Sequence, residues 1–289
     1  ILISGASGSM EDSNFTGNQN TNSNGGGALL IENSSPSILR CRFIENSTSA
    51  NNHGGAIKLD TSSASIADSI FIGNRSLTNS AGAIYFDSSS SPSFSNNEFR
   101  LNSAAQFGGA IFVNGSNLNL TGDLFLGNYA NLGGGIATQG TMSVSLSNVR
   151  ALGNEANSSS SSSAGFIYLN SGVTSSTFMN SVFSGNKSLG RYGVYRPNGP
   201  SRFVNCSIVG NEAGTDGGVT LMFTGDSIEL DNCIVWNNTA GNGNDIWVNA
   251  GTATANYSLF NPSESMGTIS GSNNLNSDPL FVDSDGADN

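Results

Sequence analysis

Residues 108–128 read GGAIFVNGSNLNLTGDLFLGN, and the reading of this stretch decides the fold. Gly109, Ile111 and Val113 alternate with Ala110 and Phe112, the period-two pattern of a short strand. Asn114-Gly115-Ser116-Asn117 is a turn by composition. Leu118 and Leu120, then Leu124-Phe125, supply further apolar strand positions before Gly127-Asn128 closes the unit. No run in the chain carries the 3.6-residue period of a helix.

The same unit recurs along the chain. Phe15/Asn18, Phe43/Asn46, Phe71/Asn74, Phe99/Asn102, Phe125/Asn128, Ala151/Asn154, Phe183/Asn186, Ile208/Asn211 and Ile234/Asn237 repeat an apolar residue followed three positions later by asparagine. Between them fall Gly26-Gly27-Ala28-Leu29, Gly54-Gly55-Ala56-Ile57, Ala81-Gly82-Ala83-Ile84 and Gly133-Gly134-Gly135-Ile136, with weaker copies near 164–167, 192–195 and 217–219. The asparagines are spaced 28, 28, 28, 26, 26, 32, 25 and 26 residues apart. A fixed period in this range marks a solenoid. Strands that return to one place after each turn lie parallel and stack about 4.8 Å apart. Eight residues before each asparagine stand Met10, Ile38, Ile66, Phe94, Leu120, Leu146, Phe178 and Phe203, with Leu230 one residue out of step. A uniformly apolar row of this kind faces inward.

The chain of 289 residues is therefore read as all-β: a right-handed, single-stranded parallel β-helix of about ten coils, each of 25–28 residues. Repeats occupy 1–261, and 262–289 is a closing segment. Neither terminus offers a clear cap, so both end strands are expected to expose unpaired edges. The first residues lack a starting Met and a basic stretch, which suggests a piece of a longer chain. Only 36% of residues are hydrophobic and 11% charged, a composition a thin solenoid core tolerates. The net charge of −11, from 21 acidic and 10 basic residues, argues against nucleic acid or an anionic lipid surface as partner. No apolar run approaches the ~18 residues of a membrane helix, so this segment does not insert as one.

The paired Gly-Gly-Ala-Ile and Phe-x-x-Asn motifs resemble the repeats of the chlamydial polymorphic outer membrane proteins, and more broadly those of secreted bacterial right-handed parallel β-helix proteins, over residues 10–261. The run Asn276 to Asp283 resembles the segment that closes such helices. The resemblance implies right-handed winding, a secreted or cell-surface location and adhesion. It brings no catalytic motif.

The asparagines are structural by this reading: Asn18, Asn46, Asn74, Asn102, Asn128, Asn154, Asn186, Asn211 and Asn237 form an amide ladder between coils. Cys206 and Cys233 take equivalent places in successive coils, open either to a disulfide or to two free thiols. Depolymerising chemistry needs paired carboxylates in one column of adjacent coils. No such stack stands out, since Arg40 separates Asp12 from Asp68, while Asp60 and Asp87 read as solvated turn acids. His53, the sole histidine, sits in a turn without an evident carboxylate partner. Two segments depart from the repeat. Arg191, Tyr192, Tyr195 and Arg196 bring aromatics and cations together, as a sugar or carboxylate site would. Asp283, Asp285 and Asp288 alternate around Gly286 in the manner of a calcium loop, which makes Ca²⁺ the candidate ligand; no cofactor is required otherwise. The serine run after Asn157 lengthens one coil as a polar loop.

The expected function is that of a non-enzymatic extracellular solenoid, an adhesive or self-assembling rod. Its partners would be other copies, other surface proteins or polysaccharide. The alternative is a polysaccharide-binding or polysaccharide-degrading β-helix.

Overall fold

In the computed structural model, which describes residues 1–281 apart from 23, 50–51, 161 and 222–224, the chain winds through parallel sheets that run the length of the molecule. Sheet 1 has 10 strands, from Leu2–Ser4 to Ile246–Val248; sheet 2 has 11, from Ser9–Glu11 to Ile269–Ser270. Sheet 3 has 10 strands, from Asn14–Thr16 to Leu259–Phe260, and sheet 4 has 8 two-residue strands, from Gln19–Asn20 to Glu212–Ala213. The ten strands of sheet 1 agree with the expected number of coils. Among the described residues the only helical turn is the 3-10 segment Pro262–Glu264.

Register follows the sequence columns. Met10, Ile38, Ile66, Phe94, Leu120, Leu146, Phe178, Phe203 and Leu230 are successive Cα partners in sheet 2, and all but Met10 are buried. In sheet 3, Phe15, Phe43, Phe71, Phe99 and Phe125 stack ring on ring at centroid separations of 4.7, 4.8, 4.9 and 4.8 Å. The stack breaks at Ala151. Phe166 fills the space from the facing corner, its ring 5.4 Å from Phe125 and 5.7 Å from Phe183. Room for Phe166 comes from Gly135, whose missing Cβ would lie 2.5 Å from that ring. The weak motif Ala164-Gly165-Phe166-Ile167 and the odd Ala151 are thus two halves of one packing exchange.

The asparagine ladder is fully hydrogen-bonded. Asn102 Oδ1 accepts from the backbone N–H of Asn74 at 3.0 Å and from its Nδ2 at 2.9 Å, while Asn102 Nδ2 donates to the Phe71 carbonyl at 2.9 Å. The pattern runs from Asn18 through Asn46, Asn74, Asn128, Asn154 and Asn186 to Asn211. One position needs correction: Asn211 donates to Asn238 and not to Asn237. Asn237 is exposed with φ 56, at the corner that Gly73, Gly127, Gly153 and Gly210 occupy in other coils. Asn there serves the left-handed turn, and its neighbour enters the ladder. With the anchor moved by one residue, Leu230 needs no deletion to join its column. The ladder ends on the buried carboxylate of Asp245, which accepts from Asn238 N and Nδ2 at 3.1 Å each.

A second row of side chains seals the turn between sheets 2 and 3: Cys41 N donates to Ser69 Oγ, Ser69 N to Asn97 Oδ1, and Asn97 N to Asp123 Oδ1. Asp123 is 1% exposed, and burial pushes its carboxyl up to about 6 despite the donors of Asn97 and Thr121. A carboxyl whose folded pKa exceeds its unfolded value favours the fold when protonated, so its contribution is complete below pH ~4 and is lost as pH rises through 6. The span is worth at most about 3 kcal/mol. Asp123→Asn should therefore flatten the pH dependence: its Oδ1 keeps the acceptor for Asn97, while its amide nitrogen takes the place of the oxygen that accepts from Thr121 N–H, which offsets part of the gain above pH 6. Urea midpoints between pH 4 and 8 check this; an unchanged slope in the variant would contradict it. Further along the row, Cys206 and Cys233 are buried free thiols, as is Cys41.

One layer was not anticipated. The segments that lead into the glycine motifs fold back over the outer surface of sheet 1. They bury Tyr85, Phe112 and Tyr168, which are 8, 5 and 6% exposed, beneath Phe107, Leu132 and Tyr192. Over these middle coils sheet 1 is consequently covered on both faces. The ends differ as well. Residues after Phe260 lay a short closing coil across the last full one, through Met266 on Trp247, Ile269 on Ala253 and Leu275 on Leu259. The closing coil is paired on one side only among the described residues, and Met266 and Leu275 on it are exposed. At the opposite end Ile1 and Leu2 are exposed.

Candidate functional site

The structure divides the Arg191–Arg196 cluster among different layers. Tyr195 takes the isoleucine place of the motif and points into the core, edge-on to Phe178 and Phe203, with its hydroxyl donating to Ser201. Tyr192 is 1% exposed in the outer layer, and burial raises its pKa. Arg191 pairs with Asp216 at 2.6 Å. Arg196 lies over the Tyr168 ring at 4.9 Å and donates to the Leu169 carbonyl. The aromatic faces expected to meet a ligand are thus spent on packing. His53 likewise stacks on Tyr85 at 4.5 Å, where burial, with Lys58 beside it, lowers its pKa to about 4. Asp283, Asp285 and Asp288 lie outside the described residues.

Asp60 and Asp87 stand at matching strand ends in adjacent coils, as their places in the repeat suggest, and Glu32, the Cα partner of Asp60, extends the row by one coil. Each is tied locally: Asn24 donates to Glu32, Thr61 to Asp60, and Ser89 to Asp87. Among the described residues no group of three acids, histidines or cysteines converges as a metal site.

The open surface with converging polar groups lies on the outer face of sheet 2, over its later coils. There the strands lengthen to Val173–Met179, Pro200–Val204, Ser227–Asp231 and Thr252–Asn256. Turn glycines with positive φ, Gly172, Gly199, Gly225 and Gly251, feed these strands. The result is a shallow groove of about 340 Å³ lined by Thr177, Arg202, Glu229, Thr252 and Thr254 with neighbouring serines and Pro200. Arg202 sits at its centre, bound to Glu229 at 2.9 Å and Asp231 at 2.7 Å. All three side chains retain solvent contact, so the pairs are weak and exchangeable. From this groove a row of small polar residues runs back along the sheet through Ser145, Asn119, Ser93, Ser65 and Ser37.

The family model described as right handed beta helix region matches residues 1–151 and, in a second register, 43–211. Two offset matches are what a repeating coil produces, and together they cover well over half of the chain. The chain belongs to the right-handed β-helix family. No curated protein and no solved structure matches it. Right-handed winding is the hand expected for parallel strands joined by crossovers.

The groove of this β-helix is not legible in the sequence because Thr177, Arg202 and Glu229 are ordinary outward polar residues, and nothing local tells a solvated face from a contact surface. Counted from Asn238, Glu229 falls nine residues before the ladder position, as Arg202 does before Asn211 and Thr177 before Asn186. That column faces outward. Counted from Asn237, the same column is recovered only with the one-residue deletion that brings Leu230 into the inward row.

Proposed function

We propose that this β-helix is a non-enzymatic extracellular solenoid that works by contact, as an adhesive or structural rod. The observation that carries the reading is the outer face of sheet 2. Its polar row repeats once per coil and runs into the Arg202 groove, a long rigid surface suited to an extended, hydroxyl-rich polymer. The acidic surface and the motif resemblance favour a secreted or cell-surface setting. Hydrogen bonds along such a row are individually modest and add up over many coils. The polar row should retain polysaccharide without shortening it, measured as polymer bound to immobilised protein with no new reducing ends or unsaturated products.

One observation favours a second reading, polysaccharide cleavage. Glu229 and Asp231 stand two residues apart on one outward face, with both carboxylates drawn onto Arg202, and a pair of neighbouring carboxylates is the equipment glycoside hydrolysis requires. Turnover that disappears in Glu229→Gln or Arg202→Ala would replace the first reading with this one.

A further inference from the structure

At the corner between sheets 2 and 3, each coil turns through one residue of left-handed backbone. In four successive coils that residue is asparagine: Asn148 (φ 55), Asn180 (φ 50), Asn205 (φ 53) and Asn232 (φ 53). The exposed amides of the last three form an outer ladder, Asn205 Nδ2 donating to Asn180 Oδ1 at 3.0 Å and Asn232 Nδ2 to Asn205 Oδ1 at 2.7 Å. The next place in the column belongs to Tyr257, at φ 51. Asparagine takes this conformation readily, whereas a bulky aromatic does so against steric resistance. The strain is not recovered by packing, because Tyr257 is 68% exposed. Only its backbone is tied down, its N–H donating to the Ser272 carbonyl at 3.0 Å. Arg40 and Leu101 hold the same left-handed conformation, so the feature that calls for a partner is the exposed aromatic ring of Tyr257 at the end of an amide ladder and beside an open groove.

Beside Tyr257 lies an open groove of about 420 Å³, which it lines with Asn205, Ser207, Asn232, Ile234 and Leu275. None of the groove's lining residues carries a charge, and the ridge that borders it holds Asp231. An anionic polymer is disfavoured there. Amides that both donate and accept, an aromatic platform and adjoining apolar patches are together suited to a sugar ring, which presents hydroxyls at its rim and C–H groups on its face.

We propose that this groove is a subsite for a neutral polysaccharide, with the Tyr257 ring stacked on the face of one pyranose and the amides of Asn205 and Asn232 bonded to its hydroxyls. The proposal rests on the contact-based function above and names the polymer class for a surface beside the sheet 2 groove. It is tested by electrophoresis of the full chain through native gels cast with galactomannan, hydroxyethylcellulose or laminarin. At least one of these polymers should retard the wild-type protein. Tyr257→Gly, freed of the left-handed strain, should melt no lower than wild type yet lose about tenfold in affinity, while Tyr257→Phe keeps it. No retardation by any of the three polymers, or equal retardation of wild type and Tyr257→Gly, would overturn the subsite. Released reducing ends in the same gels would instead overturn the non-enzymatic reading, and would leave the Tyr257 comparison to be judged by itself.

Discussion

Gly82→Ala is expected to cost more than about 4 kcal/mol or to prevent folding outright. A Cβ at this position would stand 1.9 Å from the Gly109 carbonyl oxygen and 2.5 Å from the Ser103 backbone nitrogen. Both obstacles are backbone, and neither yields by rotating a side chain. The neighbouring coils offer no slack: the same construction places a Cβ of Gly55 2.0 Å from Gly82 O and one of Gly109 2.0 Å from Gly134 O. The repeated glycine is therefore a requirement of close approach between the corner of sheet 1 and the strands of sheet 4. Gly153 provides the contrast. It has φ 58 with nothing within 4 Å of its virtual Cβ, so Gly153→Ala pays only for left-handed backbone, roughly 1 kcal/mol. Urea denaturation of both variants tests the distinction. A Gly82→Ala protein within ~1 kcal/mol of wild type would show that the coils pack less closely than described.

Asn102→Ala should be the next most damaging change, at about 3 kcal/mol or more. The substitution strips acceptors from the backbone N–H and amide of Asn74 and a donor from the Phe71 carbonyl, all in a place with no solvent access. The companion pair at the end of the ladder is more discriminating. Asn238→Ala should cost a comparable amount, since Asn238 receives Asn211 and donates to the Ile208 carbonyl at 3.0 Å. Asn237→Gly should be close to neutral, because glycine accepts the left-handed corner that Asn237 occupies. Thermal melts of the two variants would reverse order if Asn237 were the true ladder residue.

These contrasts also mark how far the sequence could be read. The apolar column from Met10 to Leu230 and the phenylalanine stack were legible, because one residue type recurs at one spacing and only a solenoid gives that spacing a use. The left-handed corners were harder. Arg40, Leu101 and Tyr257 all adopt positive φ where glycine or asparagine would be expected, so composition alone does not announce them. Two consecutive asparagines at 237–238 made the last anchor ambiguous, so Leu230 joined its row only through a one-residue deletion that the structure shows to be unnecessary. The outer layer over sheet 1 was illegible for another reason. Tyr85, Phe112 and Tyr168 lie on the outward phase of their strands, and nothing local tells a solvated aromatic from one that a distant loop covers. Charge and rarity drew attention to Arg191–Arg196, while the phase of the repeat already assigned Tyr195 to the isoleucine column and hence to the interior.

The central claim is that coils stack in one register along a single axis, and pairwise spin-label distances test it most directly. Labels are placed at outward sheet 2 positions in a background with Cys41, Cys206 and Cys233 replaced. Each pair combines Ser37 with Ser145, Thr177 or Thr254, which lie four, five and eight coils away by register. With strands about 4.8 Å apart, the separations should rise in a straight line, near 19, 24 and 38 Å, with narrow distributions. Distances that fail to grow with coil number, or that spread broadly at every pair, would contradict the stacked solenoid and everything built on its columns.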